Sequence, residues 1–396
     1  MAIKINVHLF KRFVSAGSIG GIILLCAVLL SLLVANSPWA GWFSQLINKE
    51  LGINTAYIHL KFSILHWIND GLMALFFLYV GLEIKRAFVE GELSTFKRAS
   101  LPVFAAIGGA ITPALIFYII NATTDTEHGW GIPMATDIAF AIGVLSLLGD
   151  KVPPSLKIFL AALAIADDLI AVLVIAVFYS INLQLNFLSY AAGCFLVMII
   201  CNRLGVKKLA LYLIPGAFMW YFIHHSGVHA TIAGVLTAIA IPTNKVAQES
   251  PLERLEHLLS KPVNFAIMPL FAIVNTNISI EPGMLDGLID KPGLGIITGL
   301  LLGKPLGITL TAWIIVKLGW GELPRGAGWG HMLGLGLLGG IGFTMSIFIA
   351  LLSFDDPLIS TGSKFSILIA STIAGILGLL VLNSVGRQTR LIKIPR

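Results

Sequence analysis

The chain alternates long apolar runs with short polar breaks. A helix needs about 20 apolar residues to cross the hydrocarbon of a bilayer, and twelve runs approach that length. They are Ser15–Ala35, Phe62–Leu82, Leu101–Ile120, Trp130–Leu148, Ser155–Tyr179, Leu185–Cys201, Leu209–Ile223, Val228–Ile241, Pro262–Ile280, Gly293–Val316, His331–Leu352 and Phe365–Val385. Two of these are short, and polar residues interrupt the ninth. The pattern predicts an all-α polytopic membrane protein with about twelve transmembrane helices, folded as a single integral membrane domain over residues 1–396. The first run follows Lys4, Lys11 and Arg12, as a signal peptide would. It is longer than the apolar core of about 7–15 residues that such peptides carry, so it reads as a retained first helix. Between the first two runs, Trp39–Lys61 contains Leu51-Gly-Ile-Asn54 and reads as an external amphipathic piece or a hairpin.

Composition agrees. Hydrophobic residues make up 57% of the chain and charged residues 12%, against roughly 25% charged in a soluble domain. A soluble fold of 396 residues could not hide that much apolar surface. The net charge of +6 comes from dispersed residues. No basic stripe with interleaved aromatics is present, which excludes a nucleic-acid partner and leaves lipid as the partner of most of the surface. Cys26, Cys194 and Cys201 sit in apolar runs at no metal-ligand spacing and read as small buried hydrophobes.

Charge placement orients the chain. Basic residues accumulate on the cytoplasmic side of membrane proteins. With twelve spans both termini share one side. Of the 26 basic residues, only Lys49, Lys61, Lys291 and Lys364 then fall on the other side, and Lys304 lies inside a span. Both termini are therefore expected in the cytoplasm. The loop Thr243–Lys261, with Glu249, Glu253, Arg254, Glu256 and His257, is the most charged internal segment and faces the same way.

An ionised group at membrane depth costs about 2.5–3.5 kcal/mol on insertion scales and marks function by default. Asp167 and Asp168 stand in Ala161-Ala-Leu-Ala-Ile-Ala-Asp-Asp-Leu-Ile-Ala171, mid-span and far from other polar residues. Neighbours on a helix point about 100° apart, so one can line a cation path while the other meets a partner. Lys304, in Leu302-Gly-Lys-Pro-Leu-Gly307, is the mid-membrane base, and its expected partner is one of these carboxylates. Pro133 and the polar Thr136-Asp137 interrupt the fourth span, and the glycines of Gly334-Leu-Gly-Leu-Leu-Gly-Gly-Ile-Gly342 interrupt the eleventh. These are the middle spans of two three-helix groups, helices three to five and ten to twelve. Broken helices at matching positions point to inverted repeats around a transport site, where Asp137 would offset exposed positive helix ends. Asp70 reads equally as a hydrated structural residue or part of a path. His224, His225 and His229 cluster near one helix end. No carboxylate lies near them at ligand spacing, so titration near neutral pH is the preferred reading over a metal site.

The motifs Trp67-Ile-Asn-Asp-Gly71, Val80-Gly-Leu-Glu-Ile-Lys-Arg86, Ala135-Thr-Asp-Ile-Ala-Phe-Ala141, Ala164-Ile-Ala-Asp-Asp-Leu169, Ser226-Gly-Val-His-Ala-Thr231, Gly303-Lys-Pro-Leu-Gly307 and Gly340-Ile-Gly-Phe-Thr-Met-Ser346 resemble those of the NhaA family, in family order across nearly the whole chain. NhaA antiporters are among the transporters in which broken helices at an inverted repeat are known. The resemblance implies a single transporter domain of the bacterial inner membrane, with the fourth and eleventh helices discontinuous and crossing. It implies an antiporter, not an enzyme, that exchanges Na+ or Li+ for protons at alkaline pH without a cofactor. Asp168 matches the principal cation ligand, with Asp167 beside it, so Na+ is expected at these two. Lys304 matches the lysine that pairs with Asp167. Thr136 and Asp137 match the crossing region. Glu83, Glu256 and His229 match positions linked to pH response, and the family is typically a homodimer joined partly through the external hairpin. Ala87 departs from the pattern, standing where some relatives carry an acidic residue.

Two rivals from other classes fit less well. An intramembrane aspartyl protease needs two aspartates facing each other from different helices, whereas Asp167 and Asp168 are adjacent. A proton-coupled transporter of an organic solute needs a larger polar cavity than the sequence shows. Two aspartates and a lysine for one monovalent ion suggest electrogenic exchange, two protons for each Na+. The basic-residue distribution also sets a topology. Cysteines at Asp125 and Asp286 should react with an impermeant thiol reagent from outside, and one at Glu249 should not. External labelling at Glu249 would break the twelve-span scheme.

Overall fold

The computed structural model describes residues 7–55, 59–180, 183–243, 250–280 and 284–392. Lys4 and Glu249 lie outside them. Helices dominate. Among the described residues, seven helices are long and apolar enough to cross a membrane, and up to nine spans result if each of two bent helix pairs counts as one. Large apolar side chains such as Leu33, Ile119, Leu185 and Leu358 are left exposed, as expected where the surrounding solvent is lipid. The protein is thus an all-α polytopic membrane protein apart from one hairpin.

That hairpin occupies the segment between the first two apolar runs. Strands Glu50–Asn54 and His59–Ser63 pair antiparallel, with Leu51 opposite Phe62, and the first strand is exposed throughout. Gly52 has φ of 128° and lies against the Leu60 carbonyl, where a Cβ has no room.

Several helix boundaries differ from the apolar pattern. The hairpin takes the start of the second run, so the helix begins at Ile64, just after the Ser63 cap that accepts from His66 N. The ninth helix starts at Pro251, eleven residues before the apolar run. Ser250 and Glu253 form a reciprocal capping box, and Leu252, Leu255 and Glu256 are buried, so much of the charged segment expected as a loop is helix. The last helix runs Pro357–Ile392, well past both ends of its apolar run.

Contacts divide the chain into two units. One comprises Met1–Cys26, Thr95–Ala171 and Glu281–Arg396, and the other Ala27–Ser94 and Val172–Ile280. The first unit holds both broken spans, the fourth and the eleventh, and the fifth-span helix as far as Ala171. In it Phe96–Asn121 packs tightly on Lys304–Lys317. Gly108 and Gly307 sit backbone to backbone, and a Cβ on Gly108 would strike Thr311 and the Gly307 carbonyl. Small residues at such a crossing allow dispersion and close packing to hold helices that lipid does not drive together. In the second unit, helix Met73–Val89 packs on Ile232–Ala240, and Leu78, Leu82, Met198, Tyr212, Met219 and Leu255 share one buried cluster.

Candidate ion site

The first unit assembles the site from two broken spans and two continuous helices. In the fourth span a 3-10 turn, Glu127–Met134, gives way to extended backbone, and Ile138–Ser146 then resumes as α-helix. In the eleventh span, Trp329–Gly339 and Phe343–Ser353 meet at a 46° bend. Backbone groups freed at such breaks cannot turn to water, so they must find partners in the protein. Here they find each other. Asp137 N donates to the Ile341 carbonyl at 2.7 Å. Thr136 Oγ1 donates to the Gly339 carbonyl at 2.8 Å, and Ser346 Oγ to the Ile132 carbonyl at 2.7 Å. Phe140 and Phe343 stack with ring centroids 4.6 Å apart. Phe343 carries φ of 26°, a conformation that L-residues seldom adopt.

Asp137 meets the starts of two helices. Its Oδ1 accepts from Phe140 N at 3.0 Å, capping Ile138–Ser146. Its Oδ2 accepts from Thr344 N at 3.2 Å and from Thr344 Oγ1 at 2.5 Å, at the start of Phe343–Ser353. One carboxylate thus faces two positive helix ends, each equivalent to roughly half a charge.

Asp167 and Asp168 lie in the continuous helix Pro154–Phe178, and both are buried. Asp167 Oδ2 lies 2.7 Å from Lys304 Nζ, with the two side chains 1% and 0% exposed. Lys304 also donates to the Met134 carbonyl, at the edge of the first break. Its helix begins where a π-helical turn, Gly299–Gly303, ends; such turns are frequent at functional sites. The second oxygen of Asp167, Oδ1, is buried and meets no hydrogen-bond donor among the described residues. Lys304 therefore ties the aspartate helix to the first break, and the first break is tied to the second. Sequence reasoning named Thr136, Asp137, Asp167 and Lys304. It missed the Met134 carbonyl and the individual roles of Thr344 and Ser346. The only signal for the last two was their place just after the glycine run.

The remaining sequence-selected positions belong to the second unit and fall into two clusters. Tyr79 Oη donates to Glu83 Oε1 at 2.5 Å, and Arg86 Nε lies 2.9 Å from Glu256 Oε2. Lys85 donates to the carbonyls of Ile239, at 2.7 Å, and Ile241. His229 is not with them. It stands by Asp70, with Nε2 3.9 Å from Asp70 Oδ1.

A family model described as Na+/H+ antiporter 1 matches residues 11–382. The chain belongs to the NhaA family of Na+/H+ antiporters. The Na(+)/H(+) antiporter NhaA 2 of Flavobacterium johnsoniae is 59% identical over 389 residues, 98% of this chain and 95% of the relative. The NhaA proteins of Flavobacterium psychrophilum and Bordetella parapertussis are 50% and 46% identical, covering 96% and 95% of this chain and 97% and 96% of their own lengths. This NhaA chain is accordingly a multi-pass bacterial inner-membrane protein and a secondary transporter that exchanges Na+ for protons, not an enzyme.

The buried pair of this NhaA chain makes an energetic prediction. Removing one member of a buried ion pair costs about 3–5 kcal/mol, while removing both is far milder. Lys304→Met should lower the heat-unfolding midpoint of the purified protein, and Asp167→Asn/Lys304→Met should recover much of that loss. A double variant at least as unstable as the sum of its parts would contradict the pairing.

Proposed function

We propose that the chain expels cytoplasmic Na+, or Li+, and admits two external protons per cation, at a site built on Asp167 and Asp168. The observation that carries this reading is a pair of adjacent buried carboxylates, one of which gives a single oxygen to Lys304 while its other oxygen meets no donor among the described residues. Carboxylate, hydroxyl and carbonyl oxygens suit a hard cation. Asp168 is the principal ligand and Asp167 the group that switches between Lys304 and the cation. Protons and Na+ occupy the same carboxylates in turn. Thr136 and Asp137 keep the two breaks joined and their helix ends neutralised while the site changes access.

The nine spans counted by length and composition become twelve when three more are added: residues 64–89, Ala210–His224 and Ile232–Ala240. In this scheme the fourth and eleventh cross at their breaks, both termini are cytoplasmic, and residues 1–396 form one transporter domain. Glu83 and Glu256, gathered around Arg86, and His229 beside Asp70 set a pH response that favours activity at alkaline pH. The exposed strand Glu50–Asn54 suits pairing with a second copy in a homodimer.

Two protons in for one Na+ out moves one positive charge inward per cycle. A membrane potential, negative inside, then drives the cycle by about 2.3 kcal/mol per 100 mV. Such a drive persists when external alkalinity removes the proton gradient. The test is a Na+ jump on purified protein in a supported lipid film, with equal pH on both sides. The expected result is a transient current that Asp168→Asn abolishes while the variant stays folded in the membrane. Robust exchange without current would refute the stoichiometry, and a normal current from Asp168→Asn would refute the site.

A further inference from the structure

Asp70 is surrounded by histidines drawn from separate elements of the second unit. Its Oδ2 lies 3.2 Å from His224 Nδ1 and 3.5 Å from His66 Nε2. Its Oδ1 lies 3.9 Å from His229 Nε2. The sequence pattern grouped His224, His225 and His229 without a carboxylate. The structure corrects that grouping. Asp70 arrives from the π-helical turn Trp67–Leu72, whereas His225 turns its Nδ1 to the Tyr221 carbonyl at 3.1 Å.

We infer that His66, Asp70 and His224 form a binding site for a divalent transition-metal ion of the Zn2+ type, with His229 beside it. Their ligating atoms all lie within 4.8 Å of one another. Ligands held about 2.0–2.1 Å from a tetrahedral ion stand roughly 3.3 Å apart, and both contacts of Asp70 Oδ2 are close to that spacing. Small ring rotations would bring the two histidines to it as well. His66 Nε2 is buried and meets no hydrogen-bond partner among the described residues, so it is an imidazole nitrogen with an unused lone pair or proton directed at a carboxylate. Two imidazoles and one carboxylate make a borderline donor set that suits Zn2+, Co2+ or Ni2+ and not the oxygen-seeking Na+, Mg2+ or Ca2+. The site is therefore chemically distinct from the cargo site.

The surroundings fix the rings. His224 stacks on Trp220 with centroids 5.8 Å apart, and His66 packs on Phe62 at 4.6 Å. Trp220 in turn stacks on Trp67, whose indole N–H donates to the Leu51 carbonyl of the hairpin at 3.0 Å. His229 Nδ1 is 2.8 Å from Thr231 Oγ1. That contact holds the ring by its far nitrogen, as outer partners do for metal-bound histidines, and leaves Nε2 toward Asp70 as a fourth ligand in reserve. A bound ion would staple the π-helical turn to the end of helix Ala210–His224. In the orientation proposed above, this end faces the outside, so the ion would enter from there.

The test uses tag-free, full-length protein in detergent, titrated with Zn2+ by calorimetry and with Co2+ by visible absorption. Wild type should bind one ion per chain and unfold at a higher temperature in its presence. His66→Gln and His224→Gln should each weaken binding by at least the ~10–100-fold that loss of an outer partner causes, and His225→Gln should not. Gel filtration identifies any variant that has lost its fold. Wild type alone decides the matter if variants fail, because absence of saturable one-to-one binding to it would overturn the inference. Equal affinity in His66→Gln, His224→Gln and wild type would overturn it too.

Discussion

A positive charge sealed inside a membrane protein needs a negative one at contact distance, and the site follows from that constraint. Lys304 is fully buried, and the Asp167 carboxylate lies 2.7 Å from its ammonium. The pairing fixes the aspartate helix Pro154–Phe178 against the start of Lys304–Lys317. The same ammonium takes the Met134 carbonyl, which anchors the first broken span to both. Asp137 carries the constraint further, because the helix starts freed at the two breaks share its two oxygens. The side chains of Lys304, Thr136, Asp137 and Ser346 are thus each answered by a partner, and Asp167 Oδ1 is left without a donor among the described residues. Such a lattice is stable as long as its charge balance is kept, and an entering cation or proton changes that balance directly.

A site of this kind can be exchanged without a large cavity. In the proposed function, a cation or proton joining the aspartates would weaken the pull of Asp167 on Lys304, and the helix contacts that depend on it would lose part of their support. The clusters around Arg86 and around Asp70 are different in kind. They lie in the other unit, each gathers titratable groups from several segments, and neither contributes a side chain to the Lys304–Asp167 contact. The proposed exchange site and the candidate sensing groups therefore fall in separate parts of the chain.

Much of this was legible in the sequence because lipid simplifies the code. Mid-span Asp167, Asp168 and Lys304 stood out since nothing polar surrounds them, and the breaks at Pro133–Asp137 and Gly334–Gly342 stood out as poor helix. Hydropathy failed where an amphipathic helix lies beyond the apolar run. Pro251–Pro262 reads as a charged loop by composition, yet the Ser250–Glu253 capping box and the burial of Leu252, Leu255 and Glu256 make it helix. Pairings between distant segments were not legible either. Nothing in the spacing of His224 and His229 announces Asp70, more than 150 positions earlier. No residue-type rule selects the Met134 carbonyl, because a backbone acceptor carries no sequence signature.

The central claim is that protons and Na+ compete for one carboxylate site. It is tested most directly by measuring Na+ binding to the purified protein by calorimetry at several pH values. The account predicts that apparent affinity weakens as pH falls, by up to about tenfold per pH unit for each proton displaced, with protons released as Na+ binds. A Na+ affinity that does not change with pH, or binding without proton release, would contradict it.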